Sequence, residues 1–94
     1  KNNKGEIAMA ERKVTVQNKT GLHARPAALF VQKANQFKSE IHIIKDSKEI
    51  NAKSIMGVMS LGVGQGTVIL IRADGEDAQQ AVDALVELVE SLSE

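Results

Sequence analysis

The chain reads as an α+β domain, an antiparallel sheet with helices stacked on one face, in the order β-α-β-β-α-β-α. Three observations predict it. Apolar and polar residues alternate over 11–17 and again over 40–45, the period of a half-buried strand. Apolar residues recur at helical spacing over 24–36 and 77–92. Asp46-Ser47-Lys48 separates 40–45 from a second strand-like stretch over 49–52, so the two make a hairpin. The uncovered sheet face would be partly solvated, which suits Thr15 and Lys45.

Residues 1–8 (KNNKGEIA) are polar and patternless and are read as an extension, with Met9 as a native start and the domain over 9–94. Val14 and Val16 face one side of the first strand. A turn over 18–21 leads into the first helix, whose stripe is Ala27, Phe30, Val31 and Ala34. Pro26, the chain's only proline, falls in its first turn, where a missing N–H costs least. Ile41 and Ile43 mark the buried side of the second strand, which leaves His42 pointing to solvent. Ser54 is placed to N-cap a short apolar helix over 54–61. Gly62, Gly64 and Gly66 form a turn; without a Lys-Ser/Thr ending or a preceding strand they are no phosphate loop. The run TVILIRA over 67–73 is apolar on both faces, as in a covered central strand. The last helix carries Ala78, Ala81, Val82, Leu85, Leu88, Val89 and Leu92 on one stripe and acids on the other.

Composition narrows function. Ninety-four residues make one domain, and 43% apolar with 26% charged residues describes an ordinary globular chain. With no cysteine there are no disulfides, thiolate chemistry or Cys-based zinc sites, and the chain is read as cytoplasmic, without a membrane span. Twelve basic residues balance twelve acidic ones, and neither Tyr nor Trp is present, so nothing calls for nucleic acid. The bases gather before residue 54 and the acids after residue 73, a polarity that could orient an acidic protein partner. No second His, Cys or carboxylate stands near His42 at metal-ligand spacing, so neither metal nor cofactor is expected.

The chemistry concentrates in Gly21-Leu22-His23-Ala24-Arg25-Pro26, set where a helix begins. A helix N-terminus offers unpaired N–H groups and the positive end of the macrodipole, a natural seat for an anion. A neutral imidazole attacks phosphorus without first losing a proton, and the P–N bond it forms is labile enough to pass the group onward. The N–H groups of Ala24 and Arg25 can hold phosphoryl oxygens, and the Arg25 guanidinium adds charge-assisted hydrogen bonds. An isolated histidine at such a place would more often be an ordinary cap, and it is the flanking Gly-Leu and Ala-Arg-Pro that reverse this.

Two motifs take the reading further: GLHARPA over 21–27 and NAKSIMGVMSLG over 51–62. With them the chain resembles the HPr family, the histidine-containing phosphocarriers of the phosphoenolpyruvate-dependent sugar phosphotransferase system, from Glu11 to about Leu92. The resemblance implies an open-faced β-sandwich with strand order 1-4-2-3 and three helices on one face. It implies that His23 accepts a phosphoryl group on Nδ1 from enzyme I and passes it to sugar-specific IIA domains. Such a protein is a carrier, not an enzyme, and is expected to be a monomer offering one face to successive partners. Thr20 matches a family position that is often small and polar near the site, where a hydroxyl could orient the ring.

The resemblance further implies that Ser54 matches the serine modified by a bifunctional HPr kinase/phosphorylase in low-GC Gram-positive bacteria, the modified form being read by a catabolite control transcription factor. A phosphate at a helix N-cap is favoured by the dipole and would set negative charge beside an apolar patch of Ile55, Met56 and Met59. Methionines suit a surface that must fit several partners. Met56 is expected exposed, Met59 partly so and Ile55 at the rim, with Arg25 completing the docking face. The competing readings are a regulatory HPr paralogue acting through Ser54, a nitrogen-branch carrier, and a small ligand- or RNA-binding domain. In the regulatory group glutamine replaces the histidine, and His23 argues against it.

Overall fold

A computed structural model describes residues 8–93. Of the extension read over 1–8, residues 1–7 lie outside them, whereas the Ala8 carbonyl accepts a 2.8 Å hydrogen bond from the Gly75 N–H. The elements are β1 (Met9–Thr15), α1 (Ala24–Ala34), β2 (Glu40–Lys45), β3 (Lys48–Asn51), α2 (Ile55–Ser60), β4 (Val68–Asp74) and α3 (Ala78–Ser91). The four strands form one antiparallel sheet in the order β1-β4-β2-β3. Each element falls within two residues of its sequence-based bounds. Pairing also outlasts the strands: Val16 exchanges hydrogen bonds with Thr67 and Gly66, and the Ala52 N–H reaches the Ile41 carbonyl.

The core lies between the sheet and the helices. Phe30 from α1, Ile41 and Ile43 from β2, Ile69 and Ile71 from β4, and Val82, Leu85 and Val89 from α3 are all sealed from solvent. Close-packed aliphatic burial of this kind is the main stabilising term for so small a domain. The buried stripe of α3 differs from the sequence-based one in that Val86 is buried with it, while Leu88 and Leu92 are only partly covered.

Three expectations are corrected. β4 is central in the sheet but not covered on both faces: Ile69, Ile71 and Ala73 are buried, whereas Val68 is exposed and Leu70 and Arg72 are half-buried. The sequence showed an apolar run, but only one layer of helices exists to cover it. Lys45 does not belong to the solvated face. It shares the side of Ile41 and Ile43, and its Nζ donates to the Leu61 carbonyl at 3.1 Å and the Gly62 carbonyl at 3.3 Å. His42 does not simply point to solvent. Its ring is half-buried, with Nδ1 3.8 Å from the Glu49 carboxylate, and that carboxylate bonds the Arg72 guanidinium. The early bases and late acids are not kept wholly apart either, since Arg12 of β1 reaches Asp83 of α3 at 3.2 Å.

Asp77, the N-cap of α3, uses its carboxylate on a different segment. It accepts hydrogen bonds from the Ser39 hydroxyl (2.6 Å), the Ser39 N–H (3.0 Å) and the Lys38 N–H (2.8 Å), tying the entry of β2 to the start of α3. The Ser39 hydroxyl and then the Lys38 N–H hold its carboxyl well below the usual carboxylate range, at about 2. A carboxyl whose pKa is depressed by folding contributes stability above its unfolded value and loses it as pH falls through the folded one. Denaturant midpoints of the wild type should therefore fall between about pH 4 and pH 2, and Asp77→Asn should lower the midpoint at neutral pH and flatten that acid limb. Superimposable pH profiles for the two proteins would show that Asp77 carries no such linkage.

Candidate functional site

His23 is the N-cap of α1, with extended backbone (φ −124°, ψ 157°), and its side chain makes no capping hydrogen bond. No acidic residue occupies the first turn of that helix. The imidazole is partly exposed, with Ala24 and Arg25 exposed beside it and Pro26 buried beneath. The histidine thus stands at the positive end of the helix without being consumed by the cap, on a side where a partner can reach it.

Several devices hold it there. Leu22, immediately before it, is fully buried, and its N–H donates to the Val63 carbonyl at 3.0 Å. Gly21 is left-handed at φ +64° and lies so close to the 62–66 loop that a Cβ would sit 2.1 Å from the Val63 carbonyl oxygen and 2.7 Å from Gly64 Cα. The buried Asn18 side chain donates to the Gly21 carbonyl at 3.0 Å and to the Thr20 hydroxyl at 3.4 Å. Thr20 is itself exposed. The 62–66 segment is more than the turn its glycines predict: its Val63 and Gly64 form the floor under the histidine loop. No local pattern could have shown this, because the two segments meet only in three dimensions.

Ala24 carries a second unforeseen feature. Its φ is +53°, left-handed in a residue with a Cβ, between an extended N-cap and a helix. Such a conformation costs about 1–2 kcal/mol and persists only where the surroundings impose it. Here buried Leu22 on one side and buried Pro26 on the other fix the path. Alanine offers no sequence signal for this, unlike the glycine that usually fills such a position.

Ser54 is the N-cap of α2, and its hydroxyl accepts a 3.1 Å hydrogen bond from the Gly57 N–H. Its neighbour Lys53 donates from Nζ to the Phe37 carbonyl at 2.7 Å, linking the helix entry to the end of the α1 segment. On α2, Met56 is 80% exposed, Ile55 42% and Met59 40%, while Val58 is buried. Leu29 of α1 is also exposed, and α1 packs directly against α2. An apolar surface therefore spans the two helices, one of which begins at His23 and the other at Ser54. Exposed apolar side chains grouped in this way mark a protein-docking surface more often than chance. Among the described residues no three His, Cys, Asp or Glu side chains converge on a metal position, and no helix is long and apolar enough to cross a membrane.

Comparison with known proteins gives a consistent picture. The family model described as the PTS HPr component phosphorylation site matches residues 10–91. The HPr-like protein Crh of Halalkalibacterium halodurans is 57% identical over 82 residues, covering 87% of this chain and 98% of its own. The phosphocarrier protein HPr of Xylella fastidiosa (strain Temecula1) is 52% identical over 83 residues, covering 88% and 93%. HPr of Thermoanaerobacter tengcongensis, solved as HPr-C-His, superimposes with a TM-score of 0.86 at 58% identity, covering 87% of this chain and 92% of that one. The same organism's HPr has also been solved as a dimer, similar at a TM-score of 0.71 and 60% identity over 83% and 90% of the two chains. That finding weighs against the monomer expected from the carrier role.

Proposed function

Because this chain belongs to the HPr family, whose members are phosphocarriers rather than catalysts, we propose that His23 is its phosphoryl acceptor, loaded by enzyme I and unloaded onto sugar-specific IIA domains. The observation that carries the reading is the placement of His23: an N-cap histidine, partly exposed, making no cap hydrogen bond, at the positive end of α1. The neutral ring attacks phosphorus from Nδ1, the bond between phosphorus and the donor atom of enzyme I breaks, and the donor keeps that electron pair. The N–H groups at the start of α1 and the Arg25 guanidinium take up the charge of the phosphoryl oxygens. A nucleophile of a IIA domain then attacks phosphorus, the P–Nδ1 bond breaks, and the His23 ring keeps that electron pair. Thr20, hydrogen-bonded to Asn18, lies on the loop that presents the ring and is assigned a part in orienting it.

The test is intact mass after incubation with enzyme I and phosphoenolpyruvate. An acid-labile gain of one phosphoryl group supports the carrier role; no gain with an active enzyme I control overturns it.

Ser54 is proposed as a regulatory phosphorylation site for a kinase of the HPr kinase/phosphorylase type, with the modified form available to a catabolite control factor. Its hydroxyl already accepts from a helix N–H, so an added phosphate gains from the dipole and leaves the fold intact. Its effect would fall on the adjacent patch of Ile55, Met56 and Met59. Ser54→Asp should keep the cap, and with it Tm within a few degrees, and weaken transfer from enzyme I about tenfold or more, read as a raised KM. Unchanged transfer kinetics would remove the regulatory assignment.

A second reading has an observation in its favour. The 57% identity to an HPr-like Crh protein supports a regulatory paralogue acting mainly through phosphorylated Ser54. His23 favours the carrier, since a purely regulatory protein has no use for a histidine so placed. Comparing phosphotransfer through His23 with kinase-dependent labelling of Ser54 separates the two.

A further inference from the structure

The α2 helix is only six residues long, too short to hold itself together in water, yet it carries the most exposed methionine of the docking surface. Its N-terminal end is fixed twice, by the Ser54 cap on Gly57 and by the Lys53 bond to the Phe37 carbonyl. No basic residue of the helix itself lies in its last turn. That end is held from outside: Lys45, the last residue of β2, crosses from the sheet and donates its ammonium to the carbonyls of Leu61 and Gly62 at 3.1 and 3.3 Å. A cation there satisfies carbonyls that the helix leaves unpaired and complements the negative end of the dipole.

We propose that Lys45 is a positioning residue for phosphotransfer, which fixes the C-terminal end of α2 and thereby the pose of the docking surface. This inference rests on the carrier reading. Lys45 touches neither His23 nor a phosphoryl group. The next residue along, Val63, is fully buried and holds Leu22 by its own carbonyl, so the histidine loop keeps its floor when the Lys45 tie is cut. The loss therefore falls on partner docking, not on the transfer step itself.

The test uses the intact protein with Lys45→Met, which keeps the length and the apolar stem, and Lys45→Arg, which keeps the charge. In Lys45→Met, hydrogen exchange at the Leu61 and Gly62 amides, which close the last turn onto Val58 and Met59, should quicken about tenfold, with α3 amides unchanged. KM for the chain in transfer from enzyme I should rise about five- to tenfold with kcat within about twofold, and Lys45→Arg should restore both readouts. Equal exchange in wild type and Lys45→Met, or a uniform acceleration across the fold, overturns the proposal, as does a fall in kcat with KM unchanged. Failure of wild type itself to accept a phosphoryl group sinks the carrier reading and the docking role of Lys45 together, while the exchange data still decide whether the tie exists.

Discussion

His23→Ala should abolish phosphoryl acceptance from enzyme I while leaving the fold untouched. The two halves of this result have separate causes. No other side chain at the start of α1 has a nucleophilic nitrogen free of charge: Arg25 is permanently cationic, Ala24 has no functional group and Pro26 lacks even an N–H. Transfer should therefore fall below detection, with no gain of mass. The histidine gives little to stability, because it is partly exposed and its side chain makes no capping bond. Substitution at such a position is usually within about 0.5 kcal/mol. Urea unfolding alongside the mass measurement checks both halves. A variant that still takes up an acid-labile phosphoryl group would move the acceptor elsewhere, and a variant that unfolds would make His23 a structural residue.

Gly21→Ala should cost about 3 kcal/mol or more, a large loss for a single added methyl group. Two penalties combine. A left-handed φ of +64° costs a non-glycine residue about 1–2 kcal/mol. The new methyl would also lie 2.1 Å from the Val63 carbonyl oxygen and 2.7 Å from Gly64 Cα, both backbone atoms, so the two loops must part; overpacking of this kind costs a further 1–3 kcal/mol or so. Gly62→Ala is the control. Its φ is +66°, but a Cβ there meets nothing within 4 Å, so only the conformational penalty of about 1–2 kcal/mol remains. The difference between the two variants in denaturant unfolding isolates the contact. Equal losses would mean that the histidine loop does not rest on the 62–66 loop. Because parting the loops displaces Leu22, Gly21→Ala should also slow transfer under conditions where it stays folded.

The architecture was legible because its signals are local. Alternation around Ile41 and Ile43, and the spacing of Ala81, Val82, Leu85 and Val89, register burial directly along the chain. His23 and Ser54 were legible by motif, and each proves to be the N-cap of a helix. What was not legible depends on where remote segments meet. The one-sidedness of β4 reflects the number of helical layers, which no strand records. Lys45 looked like a solvated lysine because nothing within β2 announces that a helix end sixteen residues later needs a cation. Asp77 begins the last helical run, and nothing local shows that its carboxylate serves Lys38 and Ser39 on another segment. The left-handed Ala24 is a conformation imposed from both sides on a residue that does not favour it.

The pairing of β1 with β4 has a consequence in time. The two strands run in register from Met9 opposite Asp74 to Thr15 opposite Val68, so each residue of β1 waits for a partner more than half the chain away. At synthesis rates of about 5–20 residues per second, the first strand leaves the ribosome some 3–10 seconds or so before the strand it will pair with. Through that interval its backbone donors and acceptors are open to any other extended chain. The sequence meets the hazard at Glu11, Arg12 and Lys13, three consecutive charges in the middle of the strand, which discourage stacking against a neighbour of the same kind. The same three residues guard the sheet after folding, because β1 ends as one of its two edges.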